Sequence, residues 1–318
     1  MIEAHQLTKR YGDKTAVDRL DFTVRPGTVT GFLGPNGSGK STTMRMVVGL
    51  DAPSSGTVTV NGRRYAQHSA PLQEVGALLE AKSIHPGRSA FDHLMAQAYT
   101  HGIPRRRVEE VIDLTGLQDV AKKRAGAFSL GMGQRLGIAA ALLGDPATLM
   151  LDEPVNGLDP EGVLWIRNLL TALAADGRTV FVSSHLMSEM ALVADHLIIV
   201  GRGRLLADTT VAELIRRNGG DTVKVVSSEP ARLREVLAGP GVEITGRAGS
   251  EELLVAGLPA RSIGTSAAAA GIVLYELTPR EVSLEEAFME LTKDAVEYHG
   301  SAAFAPPAGV LPQTASAA

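Results

Sequence analysis

The stretch GPNGSGKST, from Gly34 to Thr42, follows the β-branched run TVTGF and opens a helical pattern, KSTTMRMVVGL. Its spacing, Gly34-x-x-x-x-Gly39-Lys40-Ser41, is the pattern of a phosphate-binding loop, or P-loop. Glycines there let successive backbone N–H groups turn toward phosphate oxygens, and the following helix adds the favourable field of its N-terminus. The pattern predicts nucleotide binding; the alternative is a glycine-rich strand–helix turn without a ligand.

Every position of this loop is a candidate nucleotide contact. The set comprises Gly34, Pro35, Asn36, Gly37, Ser38, Gly39, Lys40, Ser41 and Thr42. In such loops the lysine reaches the β- and γ-phosphates and the serine hydroxyl ligates Mg²⁺. We therefore expect Lys40 to be catalytic and Ser41 to bind the metal.

Bulk composition narrows the class of protein. The chain has 318 residues, of which 44% are hydrophobic and 21% charged, as in ordinary soluble proteins. A net charge of −4 gives no general basic field for nucleic acid, and the absence of cysteine excludes disulfides and thiolate metal sites. No apolar run approaches the roughly 20 residues that span a bilayer, and the first residues lack the apolar core of a signal peptide. If the protein serves a membrane, we expect another chain to span it.

Two carboxylates end the apolar strand pattern TLML. Asp152 stands where a P-loop protein places its second Mg²⁺ contact. Glu153 follows it, in position to take a proton from an attacking water as a general base. The alternative is a pair of surface carboxylates at a strand end.

The chain divides by pattern into three parts. TLMLDEP and TVFVSSH resemble buried parallel strands with polar C-terminal ends, where α/β sheets bind ligands. The composition shifts near RRNGGDT, so we expect an α/β nucleotide-binding domain over 1–220 and a small α+β domain over 221–295. Residues 296–318, with several alanines and prolines and few charges, are typical of a disordered tail.

Four further segments, in order, resemble the nucleotide-binding subunit of ABC transporters: KRYG, FSLGMGQR, VNGLDP and VSSH. The resemblance covers about Ile2 to Arg217. It implies that Tyr11 stacks on adenine, that Ser129 and Gly131 of the signature segment contact phosphate, and that Asp159 ends the D-loop. It also implies that His185 is the switch histidine, which contacts the γ-phosphate. Taken alone, Tyr11 would be a half-buried aromatic, His185 a structural histidine and Asp159 a helix start.

This resemblance implies a fold, cofactors and partners. The fold is an ABC-type P-loop NTPase domain: a mainly parallel core sheet with a β subdomain and a helical subdomain. The cofactors are ATP and Mg²⁺, and two subunits, identical or paralogous, enclose two ATP molecules head to tail. A separate transmembrane permease would place the chain on the cytoplasmic face of the cell membrane. ALLEAKSIHPGRSAFDHL and SLEEAFMELT resemble exporters of peptide antibiotics and other drugs.

Other functions fit the sequence less well. A soluble ABC-type ATPase without a membrane partner would act on ribosomes or DNA, but such proteins carry paired cassettes or a long coiled-coil insertion. We expect no nucleic-acid partner, because the chain is acidic. Intact Lys40, Glu153 and His185 argue against a protein that only binds ATP. A GTPase would need an Asn-Lys-x-Asp segment, which the sequence lacks.

The sequence departs from the family pattern at two places. Leu130 and Phe128 replace the usual glycine and leucine of the signature, which predicts a working but slower site. Glu80 stands where the family has a glutamine that helps to hold Mg²⁺ and the attacking water. A carboxylate still ligates Mg²⁺, but it adds negative charge and loses the amide donor. Glu80 is thus a candidate for both metal and nucleotide binding; the alternative is a solvent-facing side chain.

Replacing Glu80 tests that hypothesis. Glu80→Gln restores the amide and removes a negative charge near the γ-phosphate, so we expect a changed ATP affinity, Mg²⁺ dependence or turnover. Titration calorimetry and a phosphate-release assay over a Mg²⁺ series measure all three quantities. If all three match wild type, Glu80 has no role at the metal.

Overall fold

The structure is a computed structural model that describes residues 1–79, 84–218, 222–247, 249–280 and 283–293. Glu80 and the predicted tail over 296–318 lie outside these described residues.

Three sheets contain the strands of the described chain. In chain order the strands are β1 (Ile2–Tyr11), β2 (Lys14–Val24), β3 (Val29–Leu33), β4 (Ser55–Val60), β5 (Val75–Leu78), β6 (Thr148–Asp152), β7 (Thr179–Ser183), β8 (His196–Gly201), β9 (Arg204–Thr210), β10 (Thr222–Ser227), β11 (Glu243–Thr245), β12 (Glu252–Ala256) and β13 (Leu274–Arg280).

The helices lie between these strands in the chain, except for the last, which follows β13. They are α1 (Lys40–Val47), α2 (Pro71–Glu74), α3 (Ala90–Thr100), α4 (Arg105–Leu114), α5 (Leu130–Leu142), α6 (Pro160–Ala175), α7 (Met187–Val193), α8 (Val211–Asn218), α9 (Pro230–Leu237), α10 (Ala260–Ala269) and α11 (Leu284–Thr292). Short 3₁₀ turns lie at Tyr65–Gln67, Gln118–Val120 and Ala125–Ala127.

A six-stranded sheet in the order β5-β6-β7-β3-β8-β9 forms the centre of the first unit. The pairs from β5 through β8 are parallel and only β9 is antiparallel, so the C-terminal ends of β3, β6 and β7 meet at one edge. These strands are buried and almost entirely apolar, as strands covered on both faces must be. The predicted mainly parallel core sheet is confirmed.

Two further layers complete this unit, as expected for the β and helical subdomains. The antiparallel sheet β2-β1-β4 packs on one side of the core sheet. Helices α3, α4 and α5 contact one another and pack on the other side. Helix α5 packs directly on β5. The approach is so close that a Cβ at Gly76 of β5 would lie only 1.9 Å from the carbonyl oxygen of Ala141 in α5.

The C-terminal residues form a second small core. Its order β10-α9-β11-β12-α10-β13 and its sheet β11-β12-β10-β13 make a split βαβ arrangement with helices over one face. The predicted small domain also included the segment that forms α11. That helix packs on α7 and α8 of the first unit, and its Leu284 and Ala287 lie in the first unit's core.

Candidate nucleotide-binding site

The P-loop joins β3 to α1 at the C-terminal edge of the core sheet. A Cβ at Gly34 would lie 2.3 Å from the carbonyl oxygen of Val200, so only glycine fits there. Gly39 has φ +100°, and a Cβ on it would lie 2.5 Å from the carbonyl oxygen of Ala16. The loop is therefore held between β8 and β2 in a conformation that requires its glycines.

Lys40 begins α1 and is almost completely buried. Its Nζ donates to the carbonyl oxygen of Gly34 at 2.5 Å and to that of Pro35 at 3.2 Å, both within the loop. Burial lowers the pKa of Lys40, and the negative charges of Glu153 and Asp152 partly offset this. A cation desolvated in this way interacts strongly with any anion that the loop receives.

Ser41 and Asp152 meet across the site, although 111 residues separate them in sequence. The Ser41 hydroxyl donates to Asp152 Oδ2 at 2.9 Å. The Ser183 hydroxyl, at the end of β7, donates to Asp152 Oδ1. A hydroxyl and a carboxylate in contact form an oxygen donor set of the kind that Mg²⁺ prefers.

Glu153 lies beyond the end of β6 with its backbone in the left-handed region, at φ +51°. Such a conformation in a residue other than glycine costs about 1–3 kcal/mol, so surrounding contacts must hold it. The Glu153 N–H donates to both the carbonyl oxygen and the hydroxyl of Ser183, at 3.2 and 3.1 Å. The amide of Gln134 donates to the Glu153 carbonyl oxygen at 3.1 Å.

His185 lies against the carboxylate of Glu153. Its Nδ1 is 2.7 Å from Glu153 Oε2, and its backbone N–H donates to the same oxygen at 3.4 Å. The imidazole remains about half exposed, at 53%. Behind the pair, Arg167 Nη2 of α6 donates to Glu189 Oε2 of α7 at 2.8 Å, which links the helices that follow Asp159 and His185.

Tyr11 lies beside the P-loop at the end of β1. Its hydroxyl donates to Asp51 Oδ2 at 3.2 Å and also contacts the side chain of Thr42. The side chain is 50% exposed, with Lys9 Nζ 5.0 Å from the ring centroid. A ring that remains half exposed is accessible for stacking on a base.

The signature segment lies against the D-loop of the same chain. Ser129 is the N-cap of α5, and its hydroxyl accepts the Met132 N–H at 3.2 Å. A Cβ at Gly131 would lie 2.8 Å from the carbonyl oxygen of Gly157. Asp159 is the N-cap of α6 and accepts the Gly162 N–H at 2.9 Å. It therefore has the helix-starting role that the alternative interpretation predicts.

The structure thus brings the predicted residues into two groups. Lys40, Ser41, Asp152, Glu153 and His185 lie together with the P-loop and Tyr11. Ser129, Gly131 and Asp159 lie beside one another near the D-loop; within the described ranges no hydrogen bond joins Ser129 or Gly131 to the P-loop.

The sequence pattern does not predict two residues of the site, Ser183 and Gln134. Ser183 is fully buried, and Gln134 is 3% exposed within the apolar helix α5. Each is a polar side chain inside an apolar segment. Because buried polar groups need hydrogen-bond partners, such a side chain indicates a contact that the sequence alone does not identify.

The loop also fits a nucleotide and its metal. The Ser38 hydroxyl is buried inside it without a protein hydrogen-bond partner, which leaves it available to a phosphate oxygen. Together with Lys40, Ser41 and Asp152, this arrangement defines a P-loop nucleoside triphosphatase.

Comparisons with known proteins identify the particular family. The sequence profile of the ABC transporter family matches residues 17–156, and that of a domain of unknown function, DUF8746, matches residues 221–285. The bacitracin transport ATP-binding protein BcrA of Bacillus licheniformis is 41% identical over 69% of this chain and 72% of its own length. The uncharacterized ABC transporter ATP-binding protein YhcH of Bacillus subtilis is 36% identical over 93% of this chain and 97% of its own.

Solved structures agree with these relatives. An ATP-binding subunit of an ABC transporter superposes with a TM-score of 0.63 at 26% identity, covering 68% of this chain and 92% of that one. The bacterial cassette MJ0796, solved as a dimer, shares the fold with a TM-score of 0.61 at 24% identity, covering 66% of this chain and 98% of its own. The chain therefore belongs to the ABC transporter ATP-binding proteins, and it is an ATP-binding and ATP-hydrolysing subunit. No helix in its described part has the length and apolarity to cross a membrane.

The buried Lys40 provides the first test of the site. Lys40→Ala removes a charged hydrogen-bond donor, so we expect about 10- to 100-fold weaker ATP binding. Titration calorimetry measures the dissociation constant, with Lys123→Ala, at an exposed lysine outside the site, as the control. An unchanged affinity in Lys40→Ala would remove Lys40 from the binding site.

Proposed function

We propose that this ATPase powers the export of drugs or peptide antibiotics through a separate transmembrane permease, by ATP-driven pairing of two nucleotide-binding subunits. One observation carries the proposal: the ends of β3, β6 and β7 bring the P-loop, Asp152, Glu153 and His185 into one hydrogen-bonded group. That group contains residues for each role that ATP hydrolysis requires: phosphate binding, metal binding and general-base catalysis.

Within the site each residue has a distinct role. Lys40 and the loop amides bind the β- and γ-phosphates, and Tyr11 stacks on adenine. Ser41 and Asp152 would hold Mg²⁺, which would supply positive charge to offset that of the phosphates. Glu153 takes the proton of the attacking water, while His185 holds the Glu153 carboxylate and reaches the γ-phosphate. The contact of 2.7 Å between His185 and Glu153 supports this pairing of roles.

Signature and P-loop act together only when two subunits meet. Gly131 lies against Gly157 of its own D-loop, and no hydrogen bond within the described ranges joins Ser129 or Gly131 to the P-loop. Their nucleotide contact therefore uses the ATP of a second subunit. The first turn of α5 adds unpaired backbone N–H groups that favour a phosphate. The exposed Leu130, at 57%, becomes covered in such a pair. The partner is a second copy of this chain or a paralogue.

A cleft of about 420 Å³ is the proposed docking place for the permease. It lies between the core sheet and α3, with Leu79, Ile84 and His93 in its wall. The neighbouring Leu50 is 59% exposed, and an apolar rim of this kind is typical of a protein-binding surface. Such docking would hold the chain on the cytoplasmic face of the cell membrane.

Similarity to named relatives supports the export of antibiotics. The relative BcrA carries bacitracin transport in its name, and a 33% identical relative from Streptococcus pyogenes is a lantibiotic transport ATP-binding protein. We place the small domain over 221–295 in an accessory role in this export system.

Glu153→Gln tests the proposed general base. The amide keeps the shape but cannot take a proton, so we expect kcat to fall by about 10²- to 10⁴-fold. ATP binding should persist, and the ATP-bound dimer should accumulate on size-exclusion chromatography. Glu109→Gln makes the same change at an exposed glutamate paired with Arg105 and should retain wild-type turnover. Wild-type turnover in Glu153→Gln would refute the assignment.

Purification from the host's own membranes tests the transporter assignment. We expect the tagged chain to recover a polytopic membrane protein in stoichiometric amount from detergent extracts. Leu50→Asp should lose this partner while retaining ATPase activity, whereas Leu114→Asp, at a leucine 45% exposed on α4, should keep it. Recovery alone from the soluble fraction, or with ribosomes, would support a soluble ABC-type ATPase instead.

A further inference from the structure

We propose that Gln134 is a positioning residue that couples the signature helix α5 to the general base Glu153, and thereby links the two ATP sites of the dimer. The inference rests on the proposed function, because it takes Glu153 as the base and the dimer as the active form. Gln134 would be a further residue of that site, and it would connect the two ATP sites of the dimer.

The contact itself is well defined. Gln134 is 3% exposed, and its Nε2 donates to the Glu153 carbonyl oxygen at 3.1 Å. It lies on the same helix as Ser129, little more than one turn from the helix start. A buried amide that donates to a backbone carbonyl holds that carbonyl in a fixed direction.

Glu153 is the residue whose backbone needs such a restraint. At φ +51° it occupies a conformation that residues other than glycine rarely adopt. Ser183, in the core sheet, accepts the Glu153 N–H. Gln134, in the helical subdomain, donates to the Glu153 carbonyl oxygen. The direction of the Glu153 side chain therefore depends on the relative position of β7 and α5.

Helix α5 is itself a firmly held element. The neighbouring Arg135 guanidinium lies 4.5 Å from the centroid of the Trp165 ring and donates to the Thr115 carbonyl oxygen at 3.0 Å. These contacts tie α5 to α6 and to the end of α4. A displacement of the N-terminus of α5 therefore also moves Gln134, because both belong to one continuous helix.

The coupling follows from the geometry of the dimer. The signature of one subunit contacts the ATP that is bound to its partner. The same subunit's Gln134 then sets its own Glu153, which acts on the ATP in its own P-loop. Contact of the signature segment with the partner's ATP at one site therefore positions Glu153 at the other site. Turnover should be cooperative in ATP, and the Gln134 amide should carry part of that cooperativity.

Two replacements separate the hydrogen bond from the packing. Gln134→Met keeps the volume but removes the donor, and Gln134→Glu places an acceptor against the Glu153 carbonyl oxygen. We expect both to lower kcat by roughly tenfold with little change in KM for ATP, since the base is misplaced while the nucleotide contacts remain. The Hill coefficient for ATP should fall toward 1. Gln118→Met and Gln118→Glu, at an exposed glutamine, are the matched controls.

A second measurement distinguishes positioning from folding. The double variant Gln134→Met/Glu153→Gln should still form the ATP-bound dimer, with a melting temperature only a few degrees below that of Glu153→Gln, since one buried carbonyl loses its donor. Loss of dimer, stability and turnover together would mean that Gln134 is merely structural and would overturn the coupling. Unchanged kcat and Hill coefficient in Gln134→Met, with Glu153→Gln inactive, would overturn the coupling alone. Full turnover in Glu153→Gln would remove the proposed base and the coupling with it.

Discussion

The close packing of backbone around the P-loop is the constraint that makes the site possible. Carbonyl oxygens of Val200 and Ala16 approach Gly34 and Gly39 so closely that no side chain fits at either glycine. The loop therefore keeps a conformation that requires its glycines, and α1 begins at Lys40, whose ammonium donates to two carbonyl oxygens of the loop. Because β8 and β2 supply these carbonyls, the core sheet and the antiparallel sheet fix the loop jointly.

Parallel strands bring the remaining chemistry to the same edge. Asp152 lies opposite Ser183 in the register of β6 and β7, which aligns the polar ends of both strands. From there Ser183 contacts both the Asp152 carboxylate and the backbone N–H of Glu153. One buried serine thus helps to hold both Asp152 and Glu153 in place.

Local chemistry made part of this arrangement predictable. The P-loop, Asp152 and Glu153 follow from glycine spacing and from polar residues at strand ends, and these features do not depend on the rest of the fold. Gln134 and Ser183 were missed because their partners are distant in sequence, and periodicity shows only that such residues are buried. The packing of α11 is a similar case: its apolar Leu284 and Ala287 predict a buried helix face but not which of two cores receives them. In the structure α8 and α11 lie together on the first unit, and the small domain lies between them in sequence.

The proposed mechanism requires that ATP joins the P-loop of one subunit to the signature segment of another. A structure of the wild-type chain with Mg²⁺ and a non-hydrolysable ATP analogue would measure the distances from the γ-phosphate to Ser129 and Gly131. We expect a head-to-tail dimer in which both residues of the second subunit lie within hydrogen-bonding distance of that phosphate. A nucleotide-bound monomer, or a dimer in which the signature segments face away from both nucleotides, would show that the mechanism is wrong.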